Sequence, residues 1–271
     1  MSRDRIAECF ARCRAEGRSA LVGYLTAGDP DVATSEELLL TLADKVDILE
    51  IGMPFSDPMA DGPVIQAASE RALEAGTSIR DVFALAAKVN SSCPDTSIIL
   101  MGYANVPYAL GFEQFSEQAA NAGVDGVLIV DLPPEEGAVC DHALKKNGLH
   151  RILLLSPTSS DERIKLASDA ASGFIYYVSL TGITGAEMGE TAAVKQQVEK
   201  IRSFSSLPIC VGFGIKTAEQ AAKVAAFSDG VVIGSHFVAQ IPQHSNDRGA
   251  MVAALEKAAS SMRSAVRKGR V

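Results

Sequence analysis

Histidine is scarce in this chain of 271 residues, which has only His142, His150, His236 and His244. No two of them show the HxH or HExxH spacing that is typical of zinc sites, so we interpret all four as surface or helix residues. The five cysteines include no CxxC pair, and their number is odd. That pattern predicts free thiols in a reducing compartment.

Cys9 and Cys13 are the one pair of cysteines spaced by a single helical turn. Side chains four residues apart share one face of a helix, so these two thiols could ligate a metal ion. No histidine lies near them in the sequence. We therefore expect no metal site in this protein.

Long apolar segments are also absent, since no run approaches the roughly 18 residues that a membrane helix needs. The first 17 residues mix both charge signs and contain no continuous apolar stretch, unlike a signal peptide. They predict an amphipathic helix from about Ile6 to Arg14. We expect a cytoplasmic protein without a membrane partner.

Positive charge is in deficit, because the formal net charge is -8. Nucleic acids are bound through clustered lysine and arginine, so we expect no nucleic-acid partner. A GxGxxG segment opening a first helix, a P-loop and a GxSxG elbow are all missing. The chemistry is therefore expected to depend on carboxylates and hydrogen bonds, without a bound cofactor.

Short apolar, β-branched runs recur along the whole chain, each followed by a segment with helical apolar spacing. The eight predicted strands are Ala20–Thr26, Ile48–Gly52, Ser97–Gly102, Gly126–Val130, Arg151–Leu155, Phe174–Val178, Pro208–Gly212 and Gly230–Ile233. Continuous apolar strands need cover on both faces, which indicates a parallel sheet surrounded by helices. Eight such units favour a single (β/α)8 TIM barrel of the α/β class over an open doubly wound sheet. We expect one domain over residues 1–271, with the extra N-terminal helix.

Glu50 is the polar residue within the otherwise apolar predicted strand Ile48–Gly52. An ionised carboxylate at such a position is costly wherever its side chain points, because both faces of the strand have a low dielectric constant. This favours a functional glutamate at the carboxyl end of a barrel strand. The alternative is a structural ion pair with Lys45 or with a residue of a neighbouring strand.

The loop after that strand carries Ser56, Asp57 and Asp61. Its prolines stiffen it, and Gly62 precedes the point where helical spacing resumes at Pro63. Asp61 is expected to reach over a pocket that Glu50 lines, giving two carboxylates in different surroundings. Asp57 lies in a Ser-Asp-Pro sequence that is equally typical of an ordinary turn.

Glycine-containing turns follow the last three predicted strands, at Thr181–Gly185, Gly212–Gly214 and Ile233–Ser235. Glycine lets main-chain amides approach an anion closely, and a helix that begins near Ser235 favours negative charge at its start. Together these turns predict a phosphate near Gly214 and Gly234, although each alone could be a simple tight turn. The segment from Gly182 to Gly189 is either a mobile lid or an ordinary surface loop.

The segment Leu49–Gln66 resembles the signature LE(L/I)GxPFSDPxADGPxIQ of tryptophan synthase alpha subunits, with every fixed position present. The similarity continues in GYLTAGDP from Gly23, MGYAN from Met101, DLPPEE from Asp131, GITG from Gly182 and GFGI from Gly212. Ile183 is a mild departure, since valine is commoner there. The resemblance implies a TIM barrel that cleaves indole-3-glycerol phosphate to indole and glyceraldehyde 3-phosphate without a cofactor, in tryptophan biosynthesis.

The resemblance also implies roles for particular residues. Glu50 matches the acid/base glutamate of the family and Asp61 the aspartate that faces the indole nitrogen. The expected substrate-binding positions are an active-site tyrosine at Tyr176, a lid threonine at Thr184, the phosphate-binding Gly185, Gly214, Gly234 and Ser235, and an indole pocket walled by Tyr24, Ile65, Met101 and Tyr103.

A beta subunit is the expected partner, in an alpha2beta2 heterotetramer that passes indole between the subunits. The resemblance places docking surfaces around Pro54–Pro58 and Asn105–Gly111, although simple loop packing explains those apolar residues equally well. Two alternatives remain open. One is a free-standing lyase that needs no beta subunit, and the other is an activating subunit whose own catalysis is weak.

Overall fold

The computed structural model describes residues 3–178, 188–212 and 214–268. Within these ranges eight parallel strands form a closed barrel in the order β1 to β8, and β1 pairs with β8. The strands are β1 (Ala20–Thr26), β2 (Ile48–Gly52), β3 (Ser97–Gly102), β4 (Gly126–Ile129), β5 (His150–Leu155), β6 (Ile175–Val178), β7 (Ile209–Gly212) and β8 (Gly230–Ile233). The predicted (β/α)8 barrel is thus confirmed, and no strand boundary differs from the prediction by more than one residue.

One helix precedes β1, and the other helices follow the strands and surround the barrel. In chain order the helices are α1 (Arg5–Ala15), α2 (Val32–Ala43), α3 (Pro63–Glu74), α4 (Ile79–Ser92), α5 (Asn105–Leu110), α6 (Phe112–Asn121), α7 (Ala138–Lys146), α8 (Asp161–Ala170), α9 (Met188–Arg202), α10 (Ala218–Ala225), α11 (Ser235–Val238), α12 (Gln240–Gln243) and α13 (Arg248–Lys268). A short 3-10 turn, Pro134–Glu136, precedes α7. The prediction of one domain over residues 1–271 stays a prediction, because parts of that range are not described.

Two apolar clusters divide the core. The larger one lies between the strands and the helices, and includes Leu38, Phe115 and Val198. The smaller one fills the barrel with alternate residues of its strands, among them Val22, Ile48, Ile99, Leu128, Ile152 and Cys210. The alternation follows from the two-residue period of a strand. It makes the amino-terminal part of the barrel a packed core instead of a channel.

The helix α1 closes the amino-terminal end of the barrel. Ile6, Cys9, Phe10 and Cys13 are its buried residues, and they belong to the same cluster as the barrel interior. The ring centroids of Phe10 and Phe174 are 5.9 Å apart. With that end filled, a ligand can reach the barrel interior only from the carboxyl ends of the strands, where the predicted site residues lie.

The loop after β1 is fastened to α3 by a buried ion pair. Both carboxylate oxygens of Asp29 accept hydrogen bonds from the guanidinium group of Arg71, each at 2.7 Å. A bidentate contact of this kind fixes orientation as well as distance. It holds α3, which begins directly after the loop that carries Asp61, against the carboxyl end of the barrel.

None of the helices that the structure describes combines the length and the apolar character of a membrane span.

Candidate active site

Glu50 lies in the middle of β2 and is almost fully buried, with 1% of its surface exposed. Its Oε1 atom has no hydrogen-bond partner among the residues that the structure describes. The alternative pairing with Lys45 is wrong, because the Lys45 Nζ atom contacts Asp44 at 2.8 Å and Glu256 at 3.1 Å. Among the described residues, no contact explains the carboxyl oxygen that Glu50 presents to the barrel interior.

The pKa of Glu50 is raised to about 8, mainly by burial and secondarily by the negative charge of Asp61. Burial disfavours the ionised form of a carboxylic acid, and a nearby anion adds to the effect. Near neutral pH this side chain is consequently a proton donor. An acid of this strength is what a carboxylate needs to protonate carbon or oxygen at physiological pH.

Asp61 lies in the loop that precedes α3, and its Oδ2 atom accepts a hydrogen bond from the Tyr103 hydroxyl at 3.0 Å. The same hydroxyl oxygen accepts a hydrogen bond from the main-chain amide of Ala60 at 3.0 Å. Burial raises the pKa of Asp61, and the bond from Tyr103 partly offsets that effect. The two predicted carboxylates therefore lie close enough to interact, in different surroundings.

Tyr103 has a contact that the sequence did not reveal. It was predicted only as a wall of the indole pocket, yet its hydroxyl also holds Asp61 in place. Its ring stacks on Phe55, with the centroids 5.3 Å apart. Phe55 lies within the signature segment, but nothing in the sequence pairs it with a residue 48 positions later.

Tyr24 and Tyr176 are both buried, on β1 and β6. Tyr24 is the strand neighbour of Glu50, and its hydroxyl lies 3.2 Å from the Oγ1 atom of Thr26. Burial raises the pKa of each tyrosine, and Glu50 and Asp61 contribute to both increases. Four of the predicted side chains thus surround one region inside the barrel.

Two strand glycines make room for these tyrosines. A Cβ atom at Gly52 would lie 2.1 Å from the Tyr24 hydroxyl oxygen, and one at Gly212 would lie 2.6 Å from that of Tyr176. Such distances are far inside van der Waals contact, so neither position accepts a side chain unless the tyrosine moves. Ile65, in the first turn of α3, is buried, and Met101, beside Gly52 in β3, is half-buried.

The predicted phosphate-binding residues lie at the ends of neighbouring strands, because β7 pairs with β8. Gly214 has a φ of 78°, which favours glycine, and is half-buried, as is Gly234. Ser235 is exposed and begins the short helix α11. Thr184 and Gly185 lie outside the described residues, together with the rest of the predicted lid up to residue 187.

The signature loop, residues 53–62 between β2 and α3, contains Asp57. Its contacts are those of an ordinary turn, which was the alternative interpretation of this residue. The Ser56 hydroxyl donates to the Asp57 carboxylate at 2.5 Å, and the Met59 amide donates to the Asp57 carbonyl at 2.8 Å. Asp57 is exposed and shows no contact with Glu50 or Asp61. Asp57 is therefore a suitable control position for the buried Glu50 and the half-buried Asp61.

Comparisons with known proteins give one consistent family. The family model described as tryptophan synthase alpha chain matches residues 10–267. The alpha chain of Zymomonas mobilis is 46% identical over 263 residues, covering 97% of this chain and 96% of its own length. That of Nitrosococcus oceani is 51% identical over 243 residues, covering 89% and 90%.

Solved structures agree with the sequence relatives. The crystal structure of the tryptophan synthase subunit alpha of Legionella pneumophila superposes with a TM-score of 0.91 at 39% identity, covering 98% of this chain and 99% of that one. A Mycobacterium tuberculosis tryptophan synthase structure gives a TM-score of 0.88 at 32% identity, covering 98% and 99%. Fold, signature segment and relatives thus agree over nearly the full length, and the chain belongs to the tryptophan synthase alpha chain family.

Proposed function

We propose that Glu50 and Asp61 carry out the reaction of this family, the cleavage of indole-3-glycerol phosphate into indole and glyceraldehyde 3-phosphate. The chain is a carbon–carbon lyase of tryptophan biosynthesis, as its family membership establishes. The observation that supports the two roles is the buried Glu50 carboxyl group, whose Oε1 atom lacks a described hydrogen-bond partner and whose pKa is raised to about 8.

The first chemical step is a proton transfer from Glu50 to C3 of the indole ring. The bond between C3 and the glycerol chain can break only if the ring accepts its electron pair, and protonation at C3 makes the ring an electron sink. Asp61 stabilises the positive charge that develops at the ring nitrogen, because a fixed anion in a site of low dielectric constant interacts strongly with it.

The second step returns the proton. The Glu50 carboxylate takes the proton of the glycerol hydroxyl next to the breaking bond, and the electron pair of the C–C bond moves into the ring. Indole regains its aromatic system, the hydroxyl carbon becomes the aldehyde of glyceraldehyde 3-phosphate, and Glu50 is again protonated. One side chain thus acts as acid and then as base.

The binding roles follow the layout of the barrel mouth. Tyr24, Ile65, Met101 and Tyr103 form the wall for the indole ring, and Tyr176 closes the pocket from β6. The phosphate binds near Gly214, Gly234 and Ser235, where two neighbouring strands end. Thr184 and Gly185 complete the pocket in this proposal, on the strength of the resemblance alone.

The test replaces Glu50 with glutamine, which keeps the shape of the side chain and removes its proton chemistry. We expect the Glu50→Gln variant to lose about 10²–10⁴-fold or more in single-turnover indole formation, the usual contribution of a general acid or base. Asp57→Asn is the matched control and should keep its activity, because Asp57 is exposed.

Binding of a non-cleavable indole phosphate ester separates chemistry from folding in that experiment. The glutamine variant should bind the ester within a few-fold of the wild-type chain. Indole formation by Glu50→Gln at the wild-type rate would refute the assignment. If Asp61→Asn alone keeps normal turnover, the role of the aspartate is wrong while that of the glutamate stands.

A tryptophan synthase beta subunit is the partner of this family, and we propose an alpha2beta2 complex in the cytoplasm. We place the docking surface at the segments Pro54–Pro58 and Asn105–Gly111. Two large exposed apolar side chains in or next to these segments support it: Met59, 82% exposed, and Tyr108, 72% exposed. Assays of the chain with and without a beta subunit separate this proposal from its alternatives. Rapid indole release by the isolated chain would indicate a free-standing lyase, whereas weak indole release in both assays would indicate an activating subunit whose own catalysis is weak.

A further inference from the structure

The amino-terminal end of the barrel holds two thiols that the proposed mechanism does not use. Cys9 and Cys13 lie one turn apart on α1, and each has 1% of its surface exposed. Their side chains point in the same direction, because residues four apart share a helix face. Sequence spacing offered no third ligand for a metal ion at this position.

The fold supplies a third ligand in Asp47, which directly precedes β2. Its carboxylate oxygens accept hydrogen bonds from Arg18 at 2.7 and 2.8 Å, and the Leu21 amide adds one at 2.9 Å. One ligand atom from each of Cys9, Cys13 and Asp47 lies within 4.8 Å of the other two. Within the described ranges, this is the one group of three such residues that meets this distance.

The three ligand atoms lie within 4.8 Å of one another, so small side-chain movements bring them to the separations that one tetrahedral ion needs. Zinc–sulfur and zinc–oxygen bonds of about 2.3 and 2.0 Å at tetrahedral angles separate the ligand atoms by about 3.5–3.8 Å. Oδ2 of Asp47 already accepts two hydrogen bonds, from Arg18 and Leu21, whereas Oδ1 accepts one, from Arg18, and has the Arg12 guanidinium group 3.7 Å away, beyond hydrogen-bonding distance. A carboxylate oxygen has two lone pairs, so Oδ1 keeps one for a metal ion.

The charges of the three ligands are also compatible with a divalent cation. Two thiolates neutralise a divalent cation, so metal binding adds no net charge to a buried region. The Asp47 carboxylate is already balanced by Arg18, which is itself 5% exposed. Thiolate ligands favour zinc and softer ions over magnesium and calcium.

We propose that Cys9, Cys13 and Asp47 form a binding site for a thiophilic divalent cation of the zinc type. The bound ion would fasten α1 to the start of β2, at the end of the barrel opposite Glu50. The site is structural, so its loss should leave indole formation unchanged. It is independent of the roles proposed for Glu50 and Asp61.

The test titrates cadmium into the reduced full-length chain and records the thiolate-to-cadmium charge-transfer absorption. We expect one equivalent to bind. Cys13→Ser and Cys9→Ser should each weaken binding by about 100-fold or more, since even changes outside the direct ligands cost 10–100-fold. Cys93→Ser is the matched control, because Cys93 is a free cysteine away from this group, and it should bind as the wild type does.

A second readout needs no variant. Alkylation of Cys9 and Cys13 in the wild-type chain requires α1 to open, so cadmium should slow their labelling, as followed by peptide mass spectrometry, and leave that of Cys93 unchanged. Absence of the charge-transfer band in the reduced protein would overturn the proposal. So would a band of full strength in both serine variants, or cadmium binding that leaves the labelling of Cys9 and Cys13 unaltered.

Discussion

The carboxyl group of Glu50 lies among groups that oppose its ionisation. Burial in the barrel interior is the main effect, and Asp61 adds negative charge. The sequence already identified Glu50, because a carboxylate within an apolar parallel strand has few structural explanations. That Lys45 is not its partner became visible only when the structure placed Lys45 beside Asp44 and Glu256.

The raised pKa of Glu50 has a consequence for stability. Its ordinary value is 4.5 and its value in the folded chain is about 8, so between these pH values the folded state holds one more proton than the unfolded state. The free energy of unfolding therefore falls as pH rises through this window, by up to about 1.4 kcal/mol per pH unit. The loss is complete above the folded-state pKa.

Glu50→Gln removes this dependence. We expect the unfolding free energy of the glutamine variant, relative to the wild type, to increase by a few kcal/mol between pH 5 and pH 8. Urea denaturation at a series of pH values measures it, with Asp57→Asn as the exposed control. Parallel pH curves for the wild type and Glu50→Gln would show that burial does not hold the proton on this side chain.

The contact between Tyr103 and Asp61 shows what sequence reasoning cannot reach. The two residues are 42 positions apart, and the parallel pairing of β2 with β3 brings the end of β3 beside the loop that follows β2. Asp47 joins Cys9 and Cys13 in the same way, from a different element of the chain. Residue types and spacing identify candidates on one segment, but partners from separate segments need the fold.

Strands and helices differed in how well their limits could be predicted. Apolar runs marked every strand to within one residue, because strands buried on both faces consist mostly of apolar residues, with Glu50 as an exception inside β2. The pair α3 and α4 agrees with the helical spacing that resumes at Pro63 and with a second helix start near Thr77, whereas the pair α5 and α6 was not anticipated. Gly76 and Gly111 separate the members of these pairs with φ values of 82° and 87°, which end one helix before the next begins.

The glycine in β2 is expected to be as important as the glutamate two positions before it. Gly52→Ala would place a Cβ atom 2.1 Å from the hydroxyl oxygen and 2.5 Å from the Cζ atom of Tyr24. The ring must then leave its position beside Glu50, at a cost of about 1–3 kcal/mol in stability, typical of overpacked cores. We expect a loss of cleavage activity as well.

Steady-state cleavage and urea denaturation measure both effects. Gly249→Ala in α13 is the control, since a Cβ atom there meets only the flexible Asp247 side chain at 3.4 Å. Full activity and stability in Gly52→Ala would mean that the position of the Tyr24 ring does not matter for the reaction.

In the molecule as a whole, the two ends of the barrel have different roles. The carboxyl ends of the strands carry the candidate active site and the exposed Met59 and Tyr108. The opposite end is filled by α1 and the apolar interior cluster. Such a division is general for this fold, in which chemistry gathers at one end and stability at the other.

Docking of the beta subunit at the carboxyl ends of the strands can be tested with one substitution. Met59→Glu places a charge on an 82% exposed side chain of the signature loop, so the variant should fold normally. We expect it to weaken association with the beta subunit by about 10-fold or more, because an unpaired charge in an interface costs free energy on desolvation. Sedimentation or calorimetric titration measures the affinity.

The control for that experiment is Leu166→Glu, since Leu166 is 39% exposed on α8, away from the signature loop. Its affinity for the beta subunit should match that of the wild-type chain. Equal affinities for Met59→Glu and the wild type would remove the signature loop from the interface.

A site-resolved titration of Glu50 most directly tests whether this glutamate is the acid of the reaction. Carbon-13 NMR of the side-chain carboxyl groups, with the Glu50 signal assigned by its absence in Glu50→Gln, should give a midpoint near pH 8. The midpoint should fall when Asp61 is replaced by asparagine, because the neighbouring negative charge is then removed. A midpoint near 4.5, unchanged by Asp61→Asn, would contradict the account.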